Sequence, residues 1–285
     1  MKVLVTGATG FIGRHLTRLL ESRGVEFVVL GRNSVGENGV RVDLLKTENF
    51  VEIVSKIKPT HLIHLAWYAE HGKYWNSVLN IEWIRATFYL LDAFYKSGGE
   101  HALVAGTCAE YDWRYGYCVE NVTPECPTTL YGEAKDATRR LTELLKIQYG
   151  RTLTWARIFF PYGADEAQGR LIPSLFRFFR GKDAPFGVNM NAYRDFLHIS
   201  DAVEAIFICS RYNIDGILNI SSGNSISIGS IVREIADICE EDPDKILKCE
   251  STRNKDPAFL VGNNQKLLAL GWSQKVALRE GLLTY

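Results

Sequence analysis

The first half of the chain alternates short runs of β-branched and aliphatic residues with longer amphipathic stretches. Apolar runs of this length predict strands, and apolar residues three and four positions apart predict helices. Strands are predicted at 2–6, 26–30, 41–43, 61–65, 102–105 and 152–160, and helices at 13–23, 47–57, 81–96 and 131–149. Because strands joined through helices pair in parallel by right-handed crossovers, this order predicts an α/β fold with an open, doubly wound parallel sheet.

The alternation weakens after Gly163, where the pattern predicts a helix at 171–179, a strand at 216–220 and a helix at 228–240. We therefore expect a larger domain formed by residues 1–165, with 194–215 returning to it. Residues 166–193 and 216–285 are expected to form a smaller mixed α/β lobe. Open α/β sheets bind ligands beyond the carboxyl ends of their strands, so this lobe is expected to bind substrate there.

Composition and charge exclude several classes of protein. Lys and Arg together number 33, as do Asp and Glu, so the chain has no net field that would favour nucleic acid or an anionic membrane. No run of 18 or more apolar residues predicts a membrane span, and the apolar start is too short for a signal peptide. Six scattered cysteines without a CxxC pair predict reduced thiols, a cytoplasmic location and no metal site.

A glycine-rich segment, Gly7-Ala8-Thr9-Gly10-Phe11-Ile12-Gly13, joins the first strand to the first helix. In a Rossmann-type sheet such glycines allow a tight turn, a close approach of the backbone to a pyrophosphate, and close packing of helix on strand. The alternative is a tight structural turn. The order of strand, glycines and helix favours a dinucleotide site in the larger domain, with cofactor contacts from Gly7, Thr9, Gly10, Phe11, Ile12 and Gly13.

The end of the second strand bears on which dinucleotide is bound. A carboxylate there binds the adenosine ribose of NAD, whereas an Arg accepts the 2′-phosphate of NADP. The sequence has Arg32 and Asn33 at this place, which favours NADP(H), although NAD(H) and a solvated surface Arg32 stay open. Asp43 and Leu44 follow the next strand, where Asp43 either contacts the adenine or caps a helix.

Tyr131 and Lys135 are four positions apart on a predicted helix, so their side chains share one face. A free phenol near pKa 10 is a poor acid or base at neutral pH. A neighbouring ammonium stabilises the phenolate and brings its pKa towards the working range. Downstream of a phosphate-binding glycine loop, this pair predicts proton transfer to or from a carbonyl or alcohol.

Taken in order, these motifs extend along essentially the whole chain. They are GATGFIG at 7–13, HLA at 64–66, GTCAEYD at 106–112, YGEAK at 131–135, RIFFPYG at 157–163, RDFLHISDA at 194–202 and LGW…LREGL near the carboxyl end. This set resembles the extended short-chain dehydrogenase/reductases, also called the NAD-dependent epimerase/dehydratase family, which act mostly on nucleotide sugars.

The resemblance implies roles for individual residues. It implies that Thr107 hydrogen-bonds the substrate carbonyl beside Tyr131, and that Lys135 also holds the nicotinamide ribose. Further cofactor contacts are implied for Leu65, Ala66, Trp67, Phe159 and Pro161, and further substrate contacts for Cys108, Phe160, Arg170 and Arg194. The two arginines suit a nucleotide diphosphate, and the alternative for each is a salt bridge between the lobes.

A homodimer is also implied by the resemblance. The helices that start near Ile81 and Tyr131 would form the interface. Trp83, Phe88 and Tyr89 look exposed on the first of these helices, which is compatible with that association.

Departures from the family pattern narrow the chemistry. Dehydratases of the family follow the catalytic Thr with Asp-Glu, whereas this chain has Cys108 and Ala109, so dehydration is disfavoured. Cys108 is one residue away from the position of an epimerising thiol, and a small buried thiol is the favoured interpretation. Phe160 replaces a substrate-contacting Asn. Trp83 stands where the helix commonly begins with Asn.

The aromatic segment 67–75 after HLA could stack on the substrate or pack at an interface. Within it, His71 is either a second acid–base group or a solvated loop residue.

What remains is simple redox of a carbonyl or alcohol. We expect NADPH-dependent reduction of a nucleotide-linked 4-keto-6-deoxyhexose to the 4-hydroxy sugar. Two alternatives stay open. One is a nucleotide-sugar 4-epimerase with tightly bound NAD, and the other is a protein that senses the cofactor without catalysis.

Overall fold

The computed structural model describes residues 1–33, 38–47, 49–184, 186–247 and 257–285. The strands are β1 (Lys2–Thr6), β2 (Glu26–Gly31), β3 (Gly39–Arg41), β4 (His61–His64), β5 (His101–Thr107), β6 (Tyr117–Cys118), β7 (Thr152–Ile158), β8 (Phe160–Tyr162), β9 (Tyr193–Arg194), β10 (Phe196–His198), β11 (Gly216–Ile220), β12 (Ile226–Ser227) and β13 (Phe259–Gly262). The helices are α1 (Phe11–Ser22), α2 (Phe50–Ile57), α3 (Leu79–Lys96), α4 (Leu130–Tyr149), α5 (Leu171–Phe179), α6 (Ile199–Arg211), α7 (Ile228–Ile238), α8 (Asp244–Leu247), α9 (Gln265–Ala269) and α10 (Leu278–Leu282).

Seven parallel strands form the main sheet in the order β11-β7-β5-β4-β1-β2-β3. The predicted Rossmann-type, doubly wound sheet is therefore confirmed. The chain moves outward from β1 through β2 to β3, and then crosses back to β4 on the other side of β1. This reversal leaves a crevice at the carboxyl ends of β1 and β4, which is where open α/β sheets bind their ligands.

Helices cover both faces of this sheet, which explains why consecutive residues in the middle of its central strands are apolar. Val3 and Val5 of β1 lie in a core with α1 and α6. Leu4 lies between them in sequence and points to the opposite face, where it packs in a core with α2, α3 and α4. Each helix layer therefore takes alternate residues of the same strand.

A smaller set of elements surrounds a third core, to which α5, α7 and α10 contribute. Here β8 pairs with β10, and a four-stranded sheet has the order β12-β9-β13-β6. Among the described residues, no helix is long and apolar enough to cross a membrane.

The structure corrects three details of the sequence-based division. Gly216–Ile220, expected in the smaller lobe, is the edge strand of the main sheet and pairs with β7. It does so because α6 packs beside α1 and returns the chain to the free edge of β7. The strand expected at 152–160 is divided at Phe159, whose N–H donates to the carbonyl of Ile220. Finally, the third strand is Gly39–Arg41, slightly earlier than predicted.

Candidate active site

The glycine loop closes on the segment that follows β4. Gly7 has a φ of +74°, and a Cβ there would lie 2.7 Å from the main-chain nitrogen of Ala66. A Cβ at Gly13 would collide with the carbonyl oxygen of Gly7. The loop therefore has two positions at which only glycine fits, one for the turn and one for the contact of helix with strand.

The amino end of α1 is open to a ligand. Gly10 is the N-cap, no side chain caps the helix, and its first turn has no acidic residue. Unpaired N–H groups and the helix dipole favour an anion at such an end. Thr9 and Gly10 are exposed and Phe11 and Ile12 half-buried, so these residues fit the pyrophosphate of a dinucleotide.

Arg32 and Asn33 are exposed directly after β2, and Arg32 has no ion pair or hydrogen bond within the described part of the chain. Asp43 does not cap α2. Its side chain accepts from the N–H of Leu45, and α2 is capped by Asn49 instead. The helix-cap interpretation of Asp43 is therefore wrong for α2. Leu44 is buried in the core, so its side chain is not available to a cofactor.

Thr107, Tyr131 and Lys135 meet at the carboxyl end of β5. Thr107 is the last residue of this strand, while Tyr131 and Lys135 lie in the first turns of α4. Thr129 starts α4 by accepting a hydrogen bond of 3.1 Å from the N–H of Gly132. The Thr107 hydroxyl is close enough to the Tyr131 phenol to lower its pKa. The trio of residues expected from the sequence to act together therefore lies in one place.

Burial acts in opposite directions on the two members of the Tyr131–Lys135 pair. It raises the pKa of Tyr131, an effect that nearby Tyr74 reinforces and the hydrogen bond from Thr107 opposes. Burial lowers the pKa of Lys135 to about 7, and the charge of Glu110 opposes this decrease. The Lys135 ammonium donates a 2.8 Å hydrogen bond to the carbonyl of Ala105.

Glu110 is a site residue that the sequence analysis missed. Its carboxylate is fully buried and accepts hydrogen bonds from the N–H of Thr107 (2.7 Å), Nε1 of Trp155 (2.9 Å) and Nε of Arg157 (2.7 Å). Arg157 also donates to Glu125 at 2.9 Å. The available signal was a carboxylate in an otherwise apolar sequence just after Thr107.

The aromatic segment 67–75 covers the catalytic pair. The Tyr74 ring meets the Tyr131 ring edge-on, with centroids 4.8 Å apart, and Trp75 does the same at 5.8 Å. Trp113 in turn lies edge-on to Trp75 at 6.2 Å. This segment therefore packs at the site itself. His71, in the same segment, is exposed.

Two of the expected substrate residues lie beside Thr107. Cys108 is buried, as expected, and burial raises the pKa of its thiol. Phe160 is half-buried, and the Arg194 guanidinium lies 5.8 Å from the centre of its ring. The Arg194 guanidinium is close enough to Cys108 for its charge to lower the pKa of the thiol, against the larger effect of burial. Cys108, Phe160 and Arg194 thus form one group.

Arg170 lies on the Tyr74 side of the site: burial raises the pKa of that phenol to about 12, and the charge of Arg170 opposes this increase. Its ion pair is with Glu166, at 3.1 Å, so it does not bridge the lobes. Phe159 is buried in the cluster that contains Cys108, with its ring against Gly262. Pro161 is half-buried in β8, opposite Leu197 of β10.

Comparison with known proteins gives one family model. The model described as the NAD dependent epimerase/dehydratase family matches residues 3–221. The UDP-glucose 4-epimerase of Halalkalibacterium halodurans is 24% identical, over 100% of this chain and 94% of its own length. The GDP-6-deoxy-D-talose 4-dehydrogenase of Aggregatibacter actinomycetemcomitans is 27% identical, over 94% and 90%.

Among solved structures, the UDP-glucose 4-epimerase of Thermus thermophilus in complex with NAD superposes with a TM-score of 0.84. It is 25% identical to this chain, and the match covers 100% of this chain and 97% of the other. The similarity therefore extends over both the main sheet and the smaller set of elements.

Proposed function

This chain belongs to the NAD dependent epimerase/dehydratase family, and we propose that it is an NADPH-dependent reductase of a nucleotide-linked 4-keto-6-deoxyhexose. The observation that carries the proposal is Arg32, an exposed guanidinium directly after β2. A carboxylate at this place would favour NAD, whereas an Arg suits the 2′-phosphate of NADP. A relative that acts as a 4-dehydrogenase on a GDP-6-deoxyhexose supports the same substrate class.

The residues beside the trio also favour simple reduction. Cys108 and Ala109 are both buried, and neither is a carboxylate that would remove or donate a proton for the elimination of water. Reduction of a ketone needs only a hydride on carbon and a proton on oxygen. The trio is sufficient for that reaction.

When bound, the nicotinamide supplies the hydride that adds to C4 of the sugar. Tyr131 donates its phenolic proton to the carbonyl oxygen as the alcohol forms, and Thr107 donates a hydrogen bond to the same oxygen. The Lys135 ammonium stabilises the phenolate that Tyr131 becomes. We assign the diphosphate of the substrate to Arg170 and Arg194, since guanidinium groups bind phosphate oxygens in pairs.

A 4-epimerase is the second candidate, and relatives favour it, since the chain is similar to UDP-glucose 4-epimerases along its whole length. Such an enzyme would use Thr107, Tyr131 and Lys135 in the same positions. It would keep NAD bound and return the hydride to the same sugar, so the cofactor would show no net change in absorbance.

Cofactor titrations test the proposal. NADPH and NADH are titrated into the wild type and the Arg32→Ala variant, with Arg41→Ala as a matched control at another exposed strand end. We expect NADPH to bind more tightly, and Arg32→Ala to lose about tenfold or more in NADPH affinity alone. Equal binding of the two cofactors, or NAD that co-purifies and does not exchange, would overturn the proposal.

Turnover assays then separate the two candidates. GDP-4-keto-6-deoxymannose with NADPH should be reduced with loss of the NADPH absorbance. Conversion of UDP-glucose to UDP-galactose without a change in absorbance would instead establish the epimerase.

The proposal includes a homodimer in the cytoplasm. Of the three α3 residues expected to be exposed, only Tyr89 is, because Trp83 and Phe88 are half-buried against the core. Tyr89 of α3 and Leu144 and Ile147 of α4 are large apolar residues with 54–66% of their surface exposed. The two helices pack side by side, so these residues give neighbouring helices an apolar outer face suited to a second copy. Light scattering should give the mass of a dimer for the wild type and of a monomer for Leu144→Glu.

A further inference from the structure

The indole ring of Trp67 lies under the ammonium of Lys135. The Lys135 Nζ is 3.7 Å from the centre of the ring, well within the range in which a cation is attracted to an aromatic face. The same ammonium donates to the carbonyl of Ala105. One hydrogen bond and one aromatic face thus hold the end of a side chain that is otherwise buried.

Two contacts hold Trp67 itself. Its Nε1–H donates a 2.8 Å hydrogen bond to Oδ1 of Asn80, and its ring stacks on Trp83 with centroids 6.1 Å apart. Asn80 is fully buried. Its Nδ2 donates to the carbonyls of Tyr74 (2.7 Å) and Ser77 (2.9 Å), so the amide is satisfied on both sides. A rotation of Trp67 would leave this buried oxygen without its donor.

Asn80 links the aromatic contacts of Tyr131 to those of Lys135. Asn80 holds the Trp67 ring, which touches Lys135, and also the main chain of Tyr74, whose ring touches Tyr131. Tyr131 and Lys135 are one turn apart on α4, so the two contacted residues are themselves neighbours. A single buried amide therefore connects the aromatic contacts of both members of the pair.

We propose that Trp67 is a positioning residue that holds the Lys135 ammonium, in its charged form, beside Tyr131. The inference rests on the proposed function, which assigns the proton transfer to this pair. It adds a residue that touches neither the reacting oxygen nor its proton.

The groups around Lys135 explain why an aromatic face matters there. Glu110, on the turn after β5, is the carboxylate whose charge supports the ammonium. His64 of β4 is uncharged near neutral pH, because burial and the charge of Lys135 lower its pKa to about 3. Tyr131 is uncharged until it transfers its proton. The Trp67 face therefore supports the ammonium without a second counter-ion that would hold it away from Tyr131.

The test compares Trp67→Leu with Trp67→Phe and with Tyr212→Leu. Trp67→Phe keeps an aromatic face, whereas Tyr212→Leu replaces an exposed aromatic residue after α6, outside the site, by Leu. The readout is the pH titration of the Tyr131 phenolate with the oxidised cofactor bound, NADP⁺ or NAD⁺, whichever the cofactor titrations show to bind. It is measured as the near-ultraviolet difference between each variant and the same variant carrying Tyr131→Phe.

Loss of the aromatic face should release the Lys135 ammonium from its place beside Tyr131, so the Tyr131 phenolate loses the charge that stabilises it. We expect the midpoint of the phenolate titration to rise by about one pH unit in Trp67→Leu. The rise should be smaller in Trp67→Phe and absent in Tyr212→Leu. An unchanged midpoint in Trp67→Leu, or an equal rise in Tyr212→Leu, would overturn the inference.

This titration needs no sugar substrate, so it separates the inference from the proposed function. Failure of 4-keto-6-deoxyhexoses linked to GDP, UDP and dTDP to react would reject the proposed substrate class while the effect of Trp67 on Tyr131 is still measured. With a reactive substrate, Trp67→Leu should lower kcat and leave the KM for the sugar nucleotide unchanged.

Discussion

The carboxylate of Glu110 accepts a 2.7 Å hydrogen bond from the main-chain N–H of Thr107, the residue whose hydroxyl reaches Tyr131. The other two donors to this carboxylate, Trp155 and Arg157, come from β7, the neighbouring strand of the main sheet. Glu110 therefore links the end of β5 to β7 next to the site. All three partners are N–H donors, so only an acceptor with several free lone pairs satisfies them.

Glu110→Gln should strongly destabilise the fold. The amide NH₂ of Gln would face an N–H donor in either orientation, and the buried Arg157 charge would lose a counter-ion. Removal of one partner of a buried ion pair costs about 3–5 kcal/mol in the free energy of unfolding. Denaturant titration followed by circular dichroism measures this loss.

The control is Glu52→Gln, which breaks an exposed ion pair with Lys56 on α2 and should leave the denaturation midpoint unchanged. A Glu110→Gln variant as stable as the wild type would contradict this account of the network.

Gly13→Ala should abolish cofactor binding. The added Cβ would collide with the carbonyl of Gly7 and lie 2.6 Å from the Cα of Ala8, both of which are main-chain atoms. The glycine loop would have to move away from the amino end of α1, where the pyrophosphate is expected. Gly24→Ala is the control, because its Cβ would meet no atom within 4 Å despite the left-handed φ of +63°. Fluorescence titration with NADPH should show loss of binding for the first variant only.

Tyr131→Phe should stop catalysis and preserve cofactor binding. The change removes the proton donor and leaves the ring, so the packing against Tyr74 and Trp75 is kept. Loss of a positioned acid lowers kcat by a factor of about 10²–10⁴. Consumption of NADPH measures the rate, and NADPH titration shows whether the pocket is intact.

Tyr89→Phe is the matched control on the exposed face of α3, and its rate should equal that of the wild type. A Tyr131→Phe enzyme that retains its rate would show that another group transfers the proton.

The features that could be predicted from the sequence are those with local causes. The parallel sheet follows from apolar runs that alternate with helices, and the glycine loop and the Tyr131–Lys135 pair follow from short spacings. The edge strand at Gly216–Ile220 was assigned to the wrong lobe because its pairing with β7 depends on where α6 returns the chain.

Long-range side-chain contacts were missed for the same reason. Glu110 meets Trp155 and Arg157 across 45 and 47 positions, and no local pattern marks them as partners. Trp67 was recognised as an unusual aromatic residue near the cofactor. Its contact with Lys135 depends on the fold, which brings the segment after β4 to the first turns of α4.

Lys135→Met should stabilise the protein without ligands, although it removes a catalytic group. Burial lowers the pKa of Lys135 in the folded protein to about 7, from an ordinary value of 10.5. Between these two values the unfolded chain binds more protons than the folded one, so stability rises with pH. The contribution of neutral Lys135 to the free energy of unfolding is fully present above pH 10.5 and is lost as the pH falls through about 7. Below about pH 7 the folded state bears the full cost of a buried ammonium, on the order of a few kcal/mol.

The gain in stability from Lys135→Met should therefore be largest at pH 6 and should vanish as the pH approaches 10.5. Denaturant unfolding of both proteins across this range measures it, and an equal gain at every pH would show that packing, and not the buried charge, is responsible.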